Sequence, residues 1–274
     1  KGTLGLPNEP SYIDEEAVRN FRNKITERSG RKYEMWSRGF TEYKKNVNLK
    51  SEDLLDYFIH SKEYNLLEQN WQFDPNTKIS AREANGDIMQ EIAKIVPNLI
   101  GGSADLASST KTTLKKLGDI KDEHYDGSNI WFGVREHAMG AILNGLALTG
   151  FKTFGSTFLV FSDYLKPAIR LSALMDLPVN YIFTHDSYAV GQDGPTHQPI
   201  EQLAMLRAIP NLNVFRPADA KEIVGCWNMM LNTKGPNALA LYRQESELIG
   251  ATNSEYVKYG AYPVRREKER LNGI

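Results

Sequence analysis

The segment THDSYAVGQDGPTHQPIE gathers chemically versatile side chains on one glycine-containing loop. They are His185, Asp186, Asp193, His197 and Glu201. Imidazole and carboxylate groups are common metal ligands, although a single histidine more often serves packing. Taken alone, the residues leave both a metal site and a structural role open.

A second group combines one carboxylate with three aromatic rings. Glu136 comes directly after an apolar run and opens a helix rich in small residues, where the helix dipole favours an acid for structural reasons alone. Phe158, Phe161 and Tyr164 recur at offsets of three, so one helical face could present all three rings. Such a stripe fits core packing, and it also fits stacking on a flat heteroaromatic ring.

Alternating helices and strands must position these residues from about Ser80 onward. The periodicity predicts helices at 81–96, 135–149, 159–175, 199–208 and 219–231, and strands at 98–102, 130–133, 151–155, 179–184, 212–216 and 238–242. This alternation predicts an α/β fold, a parallel sheet with helices on both faces. The candidate residues follow strands, where open parallel sheets bind ligands.

The flanking segments differ from this pattern. Residues 11–70 are polar and helical in character, with Gly30 predicted to separate the first two helices, and 71–77 form a linker. We therefore divide the chain into a helical segment and linker (1–77), an α/β domain (78–250) and the start of a further domain (251–274), with strand-like residues 256–264. The chain begins without methionine and stops just after that stretch, which indicates an excised fragment.

The strings VREHAMG (134–140) and DGPTHQP (193–199) resemble motifs of the transketolase family of thiamine-diphosphate enzymes, as do STFLVFSDYL, SAREANGD, SADLASST and LYRQ. The resemblance covers nearly the whole chain. It implies the middle, pyrimidine-binding domain, with a diphosphate-binding domain missing before it and a truncated C-terminal domain after it. The parent enzyme would transfer a two-carbon ketol group from a ketose phosphate to an aldose phosphate.

The resemblance also implies roles around the cofactor thiamine diphosphate. Glu136 would hydrogen-bond the aminopyrimidine ring and so activate the cofactor. The three aromatic residues Phe158, Phe161 and Tyr164 would sandwich that ring, and Asp105 would lie near the cofactor and the dimer contact. In the family, the glutamate of one subunit serves the cofactor held mainly by the other, which implies a homodimer.

Sugar phosphates are the implied substrates. By resemblance, His185, Asp193 and His197 would bind substrate oxygens, and the two histidines would assist proton movement. Phosphate contacts would come from Arg82, Ser109 and Arg243, because an arginine fork pairs two phosphate oxygens at once. The family commonly has SADLTPSN where this chain has SADLASST, so the phosphate contact falls on Ser109 or on its neighbour Ser108.

The chain contains no Gly-Asp-Gly motif of the kind that helps to hold Mg²⁺ and the diphosphate in this family. We expect the magnesium ligands on the missing domain, no metal ligands here, and no turnover from the fragment alone. Dihydroxyacetone synthase remains an alternative, whereas DGPTHQP argues against deoxyxylulose-phosphate synthase. A stand-alone metal-binding or sugar-phosphate-binding module is the alternative from another class.

Composition excludes several partners. With 33 basic and 34 acidic residues the formal net charge is -1, so we expect neither nucleic acid nor a membrane as partner. Cys226 is the only cysteine, which excludes an intrachain disulfide and fits a reducing compartment. No apolar run is long enough for a bilayer, and the expected location is the cytoplasm.

Overall fold

A single long helix dominates the N-terminal part of the computed structural model, which describes residues 1–46, 57–58 and 62–265. Helix α1 (Glu15–Asn46) belongs to a unit spanning Lys1–Asp53. The Asp14 carboxylate caps it by accepting the amide protons of Glu16 and Ala17. The predicted break at Gly30 is wrong, because α1 runs through this residue, and a glycine inside a helix costs only about 1 kcal/mol relative to alanine. Residues 47–56 and 59–61 of the predicted helical stretch lie outside the described residues, and its last part, 62–70, contains only the 3-10 helix Leu66–Glu68.

The second unit, Leu54–Ile274, contains the predicted sheet. Its strands are β1 (Ile79–Ser80), β2 (Leu99–Ser103), β3 (Asn129–Trp131), β4 (Lys152–Phe158), β5 (Val179–Thr184), β6 (Asn213–Phe215), β7 (Asn237–Leu241) and β8 (Glu245–Ser246). Its helices are α2 (Ala81–Ile95), α3 (Ala107–Thr110), α4 (Glu136–Leu148), α5 (Ser162–Leu174), α6 (Gln202–Arg207) and α7 (Ala220–Asn232). Six strands form one parallel sheet in the order β3-β2-β4-β5-β7-β6, while β1 and β8 pair antiparallel. The predicted α/β class is confirmed.

Helices cover both faces of the sheet because strand side chains alternate between the faces. Ile182 and Leu239 belong to an apolar cluster that includes buried residues of α2 and α7. Tyr181, Phe183 and Ala238 point the other way, into a cluster with α4, α5 and α6. The near-continuous apolar runs that predicted the strands thus reflect burial on both sides.

Two predicted elements are wrong in detail. The segment 159–175 is not one helix: β4 extends to Phe158, a 3-10 turn covers Leu159–Phe161, and α5 begins at Ser162. The strand-like segment 256–264 instead begins as the 3-10 helix Ser254–Tyr259. The Asn253 side chain caps this helix by accepting the Glu255 amide proton, and Gly260 ends it at φ 76°.

Helices α4 and α5 pack closely, which fixes the position of Glu136 relative to the aromatic segment. A Cβ atom at Gly140 would lie 2.6 Å from Ala168 Cβ and 2.7 Å from Leu165 Cδ1, so the contact requires glycine. A buried polar contact adds to it, since the Tyr181 hydroxyl lies 3.2 Å from Asn144 Oδ1. Together these contacts join α4, α5 and β5 into one rigid layer.

Candidate functional site

The candidate residues collect at the carboxyl edge of the parallel sheet. Asp105 follows β2, Glu136 opens the helix after β3, and Phe158 ends β4. His185 follows β5, and Arg243 lies two residues beyond the end of β7. Parallel strands place all their carboxyl ends at one edge, so residues from distant parts of the sequence meet there.

Aromatic and imidazole rings form a continuous cluster at the end of β4. Phe158 stacks on His185 with the ring centroids 3.6 Å apart, and its ring centroid lies 6.0 Å from that of Phe161. The His197 ring meets Phe158 and Phe161 edge-on, at 6.0 and 5.4 Å. Phe161 also lies 6.3 Å from Tyr164, whose side chain is 65% exposed. The predicted trio is therefore adjacent, although Phe158 ends a strand, Phe161 lies in the 3-10 turn after it and Tyr164 lies in α5.

His185 is buried in this cluster and is surrounded by charge. Its Nδ1 lies 2.9 Å from the Thr184 hydroxyl. Burial, aided by the positive charges of Arg82 and Arg243, lowers the pKa of His185 from 6.5 to about 4, whereas Asp193 opposes this shift. His185 is therefore a neutral imidazole near pH 7, able to exchange hydrogen bonds with an uncharged hydroxyl.

The predicted phosphate contacts share the same neighbourhood. Arg82 Nη1 donates to the Ser109 carbonyl at 2.9 Å, and Arg243 Nη1 donates to the Val190 carbonyl. Desolvation by burial lowers the pKa of Arg82, and Arg243 adds to this effect, so the two guanidinium groups lie close enough to repel. Two neighbouring arginines whose charges are not neutralised by an ion pair among the described residues form a suitable environment for a phosphate dianion.

Glu136 presents a carboxylate that no described side chain uses. It is 9% exposed and makes no hydrogen bond or ion pair within the described part of the chain. A buried carboxylate normally has a partner, so its position at the start of α4 suits a protonatable ligand. Phe161 and Tyr164 keep part of their ring surface exposed at the same edge of the sheet, and a carboxylate with exposed aromatic rings suits a flat heteroaromatic ligand such as an aminopyrimidine.

Three predicted residues lie at the carboxyl edge of the sheet but make no hydrogen bond to the described residues of the aromatic cluster. Asp105 is exposed and adopts a left-handed backbone with φ 68°, and Asp193 is exposed on the loop before the Pro195–His197 turn. Ser108 is also exposed, whereas Ser109 is half-buried beside Arg82. Among the described residues, no three His, Cys, Asp or Glu side chains come together as a metal site.

An ion pair next to His185 was not predicted. Asp186 Oδ2 accepts a hydrogen bond from Arg216 Nε at 2.7 Å, and the Asp186 side chain is 2% exposed. Asp186 was noted only as a potential metal ligand, and Arg216 only as the end of a strand. The signal available in the sequence was an arginine directly after a strand, at the same sheet edge as the histidine.

A helix-covered parallel sheet whose polar residues converge at the carboxyl edge defines an α/β ligand-binding domain. Residues 77–247 match the profile of the family described as transketolase, pyrimidine binding domain. The chain therefore belongs to the transketolase family. In the described part of the chain, no helix has both the length and the apolar character that a membrane crossing requires.

Named relatives and a solved structure agree with this assignment. The chain is 45% identical over 270 residues to the transketolase of Bacillus subtilis, and 47% identical over 271 residues to that of Geobacillus stearothermophilus. Each alignment covers 95% of this chain and 40% of the relative. A crystal structure of Pichia stipitis transketolase with sedoheptulose-7-phosphate superimposes with a TM-score of 0.89 at 35% identity, covering 98% of this chain and 41% of that one. The chain thus spans about 40% of the length of these relatives.

Proposed function

We propose that this chain provides the pyrimidine-binding and sugar-binding part of a transketolase, with thiamine diphosphate as cofactor and sugar phosphates as substrates. The unpartnered Glu136 carboxylate is the observation that carries the proposal. When bound, the cofactor supplies a carbon nucleophile and an electron sink for cleaving the carbon–carbon bond of a ketose phosphate. Mg²⁺ and the diphosphate would be held by the part of the relatives that this chain does not span.

Glu136 has the chemistry to share a proton with the pyrimidine ring. Its side chain is mostly buried, and its place at the start of α4 puts it near the positive end of the helix dipole. Phe161 and Tyr164 would stack on the ring faces, and Asp105, at the end of the neighbouring strand β2, would lie beside the cofactor. The rigid packing of α4 on α5 would hold the carboxylate and the rings in register.

The sugar phosphate would lie above the His185 cluster. The neutral His185 and the nearby His197 would hydrogen-bond sugar oxygens and move protons, while the exposed Asp193 carboxylate would accept a hydrogen bond from a hydroxyl. Arg82 and Arg243 would pair with the phosphate, helped by the serine at 108 or 109. The positive charge that lowers the pKa of His185 is the same charge that attracts the anion.

A second copy of the chain is the proposed partner, giving a homodimer in the cytoplasm. Helices α4 and α5, with Met175 directly after α5, leave large apolar side chains exposed at fractions between 47% and 69%, namely Ile142, Leu148, Leu171, Leu174 and Met175. Where such side chains form a contiguous apolar patch, that patch is typical of an interaction surface. The homodimer that the family resemblance implies supports a second copy as the occupant of this surface.

The test of this function uses the Glu136→Gln substitution, which keeps the shape of the side chain and removes its charge. In a full-length protein that contains this chain, we expect the rate of ketol transfer between sugar phosphates to fall by about a hundredfold or more. Loss of a proton-transfer group has an effect of this size. The chain itself, given thiamine diphosphate, Mg²⁺ and the same sugars, should show no turnover. Near-normal turnover by Glu136→Gln would refute the assignment.

Glu63 offers a matched control. It is exposed and makes no side-chain hydrogen bond or ion pair among the described residues. Its neighbour Tyr64 contacts Asn98 and Asn232, which precede β2 and β7 and so lie at the opposite edge of the sheet. Glu63→Gln should therefore leave turnover unchanged, and circular dichroism should show that both variants keep the fold.

A further inference from the structure

Two adjacent residues at the end of β5 carry unfavourable local features. His185 adopts a left-handed backbone with φ 56°, a conformation that non-glycine residues adopt uncommonly and at some cost in free energy. The next residue, Asp186, buries a carboxylate whose Oδ1 has no hydrogen-bond partner among the described residues. A strained backbone beside an incompletely paired buried charge indicates that the position of these two residues matters more than the local cost in free energy.

The other oxygen of Asp186 shows what enforces this arrangement. Oδ2 receives the Arg216 Nε proton at 2.7 Å, and Arg216 is 45% exposed. Asp186 follows β5 and Arg216 follows β6, while β7 lies between these two strands in the sheet. The ion pair therefore crosses the end of β7, close to Tyr242, whose pKa Asp186 helps to raise after the larger effect of burial.

Contacts on both sides of His185 leave its ring little freedom. On one side, Thr184 is the last residue of β5 and its hydroxyl meets His185 Nδ1 at 2.9 Å. On the other side, Asp186 forms its ion pair with Arg216, which follows β6, the second strand from β5 in the sheet. Between these anchors the imidazole stacks on Phe158 at 3.6 Å, and Nδ1 is its only hydrogen-bonding atom with a partner among the described residues.

We propose that Asp186 and Arg216 are positioning residues, whose ion pair holds the left-handed turn at His185 and thereby fixes the imidazole on Phe158 with Nε2 free for the sugar. The role of His185 toward a sugar rests on the proposed function. The geometric part does not, because it concerns only contacts within this chain. Without the pair, the backbone of His185 would relax to negative φ and the ring would leave Phe158.

Histidine NMR of the chain tests this inference without cofactor or substrate. With ring-labelled histidine, the chain gives signals from five residues. Stacking on Phe158 should shift the His185 ring protons upfield, and Phe158→Leu, which removes that ring current, assigns them. In Asp186→Asn, which keeps the side-chain shape, we expect this upfield shift to shrink. The His185 titration midpoint should also rise by about one pH unit or more toward 6.5.

The groups that face His185 and set its titration in the wild type are Arg82, Arg243, Asp193 and His197, none of which is altered. Asp186→Asn removes a buried charge and leaves an exposed arginine, so it should fold. Arg216→Gln should change the His185 signals in the same way, and Arg216→Lys, which restores the positive charge, should return them. The matched control Arg207→Gln alters an exposed arginine whose side chain makes no hydrogen bond or ion pair with another described residue, and it should have no effect.

Wild-type His185 shifts and midpoint in folded Asp186→Asn would overturn the inference. So would a change seen only in Arg216→Gln, because that change would report an unpaired buried carboxylate and not the loss of the pair. The proposed function fails by a different result, normal turnover of Glu136→Gln. The two outcomes can therefore be told apart.

Discussion

His185 shows how one buried side chain can make the stability of a domain depend on pH. In the folded chain its pKa is lowered to about 4 by burial and by neighbouring positive charges, whereas an unfolded histidine has a pKa of about 6.5. Between these values the unfolded state binds the proton and the folded state does not. The free energy of unfolding that neutral His185 contributes is therefore lost as pH falls from about 6.5 to about 4. Below that range this residue causes no further change.

We predict that His185→Gln reduces this acid sensitivity. Urea unfolding at pH 7 and pH 5 should show a smaller loss of unfolding free energy for His185→Gln than for the wild type. The exposed His137 provides the control, since His137→Gln should lose as much stability as the wild type. An equal loss in His185→Gln would show that His185 is not shielded as described.

At the same scale, the sequence could nominate single candidate residues but not the pairs that they form. The motifs around Glu136 and His185 were sufficient to select these residues, because each motif is contiguous. The Asp186–Arg216 pair joins residues 30 positions apart, and nothing local links them. Their contact depends on which strands are neighbours in the sheet, which the sequence pattern does not encode directly.

Helix α4 offers a comparison of two glycines in one element. Gly140 faces Leu165 and Ala168 of α5, whereas a Cβ atom at Gly145 would touch nothing within 4 Å. We predict that Gly140→Ala lowers the unfolding free energy by about 1–3 kcal/mol through overpacking. Gly145→Ala should raise it by about 0.5–1 kcal/mol, because alanine loses less backbone entropy in a helix.

Urea titrations of both variants measure these changes, with equal m-values indicating that only stability has moved. Equal effects of the two substitutions would contradict the packing described for α4 on α5. A fall in stability confined to Gly140→Ala would also support a fixed spacing between Glu136 on α4 and Tyr164 on α5.

The aromatic segment marks the limit of prediction at this scale. The run TFGSTFLVFSDYL is apolar enough for either a strand or a helix, and periodicity does not separate the two for short buried runs. The structure divides it, with Phe158 in β4 and Tyr164 in α5. The rings still meet because the turn between the two elements is tight.

For the whole molecule, self-association is the property most accessible to measurement. If a second copy covers α4 and α5, Ile142→Asp should weaken dimers of the chain by about tenfold or more in analytical ultracentrifugation, because a buried unpaired charge is costly. Ile249→Asp is the matched control: Ile249 is 41% exposed and lies outside these helices. If Ile142→Asp leaves the dimer dissociation constant unchanged, the interface does not include this face of α4 and α5.

Fold class could be predicted from the sequence because strands buried on both faces give distinctive apolar runs. The strand order β3-β2-β4-β5-β7-β6 and the small β1–β8 pair could not. β1 and β8 have two residues each, too few for a periodic signal, and they pair Ile79 with Ser246 across most of the domain. The proposed boundaries at 77/78 and 250/251 remain predictions beside the family match at 77–247.

The all-parallel sheet also has a kinetic consequence. Parallel neighbours cannot be joined by hairpins, so every pairing must wait for a loop of many residues to close. Such high contact order slows folding. Phe158, His185 and Arg243 end or follow β4, β5 and β7, which are adjacent in the sheet. The proposed sugar-binding surface can therefore exist only after these pairings have formed, and partly folded chains emerging from synthesis would lack it.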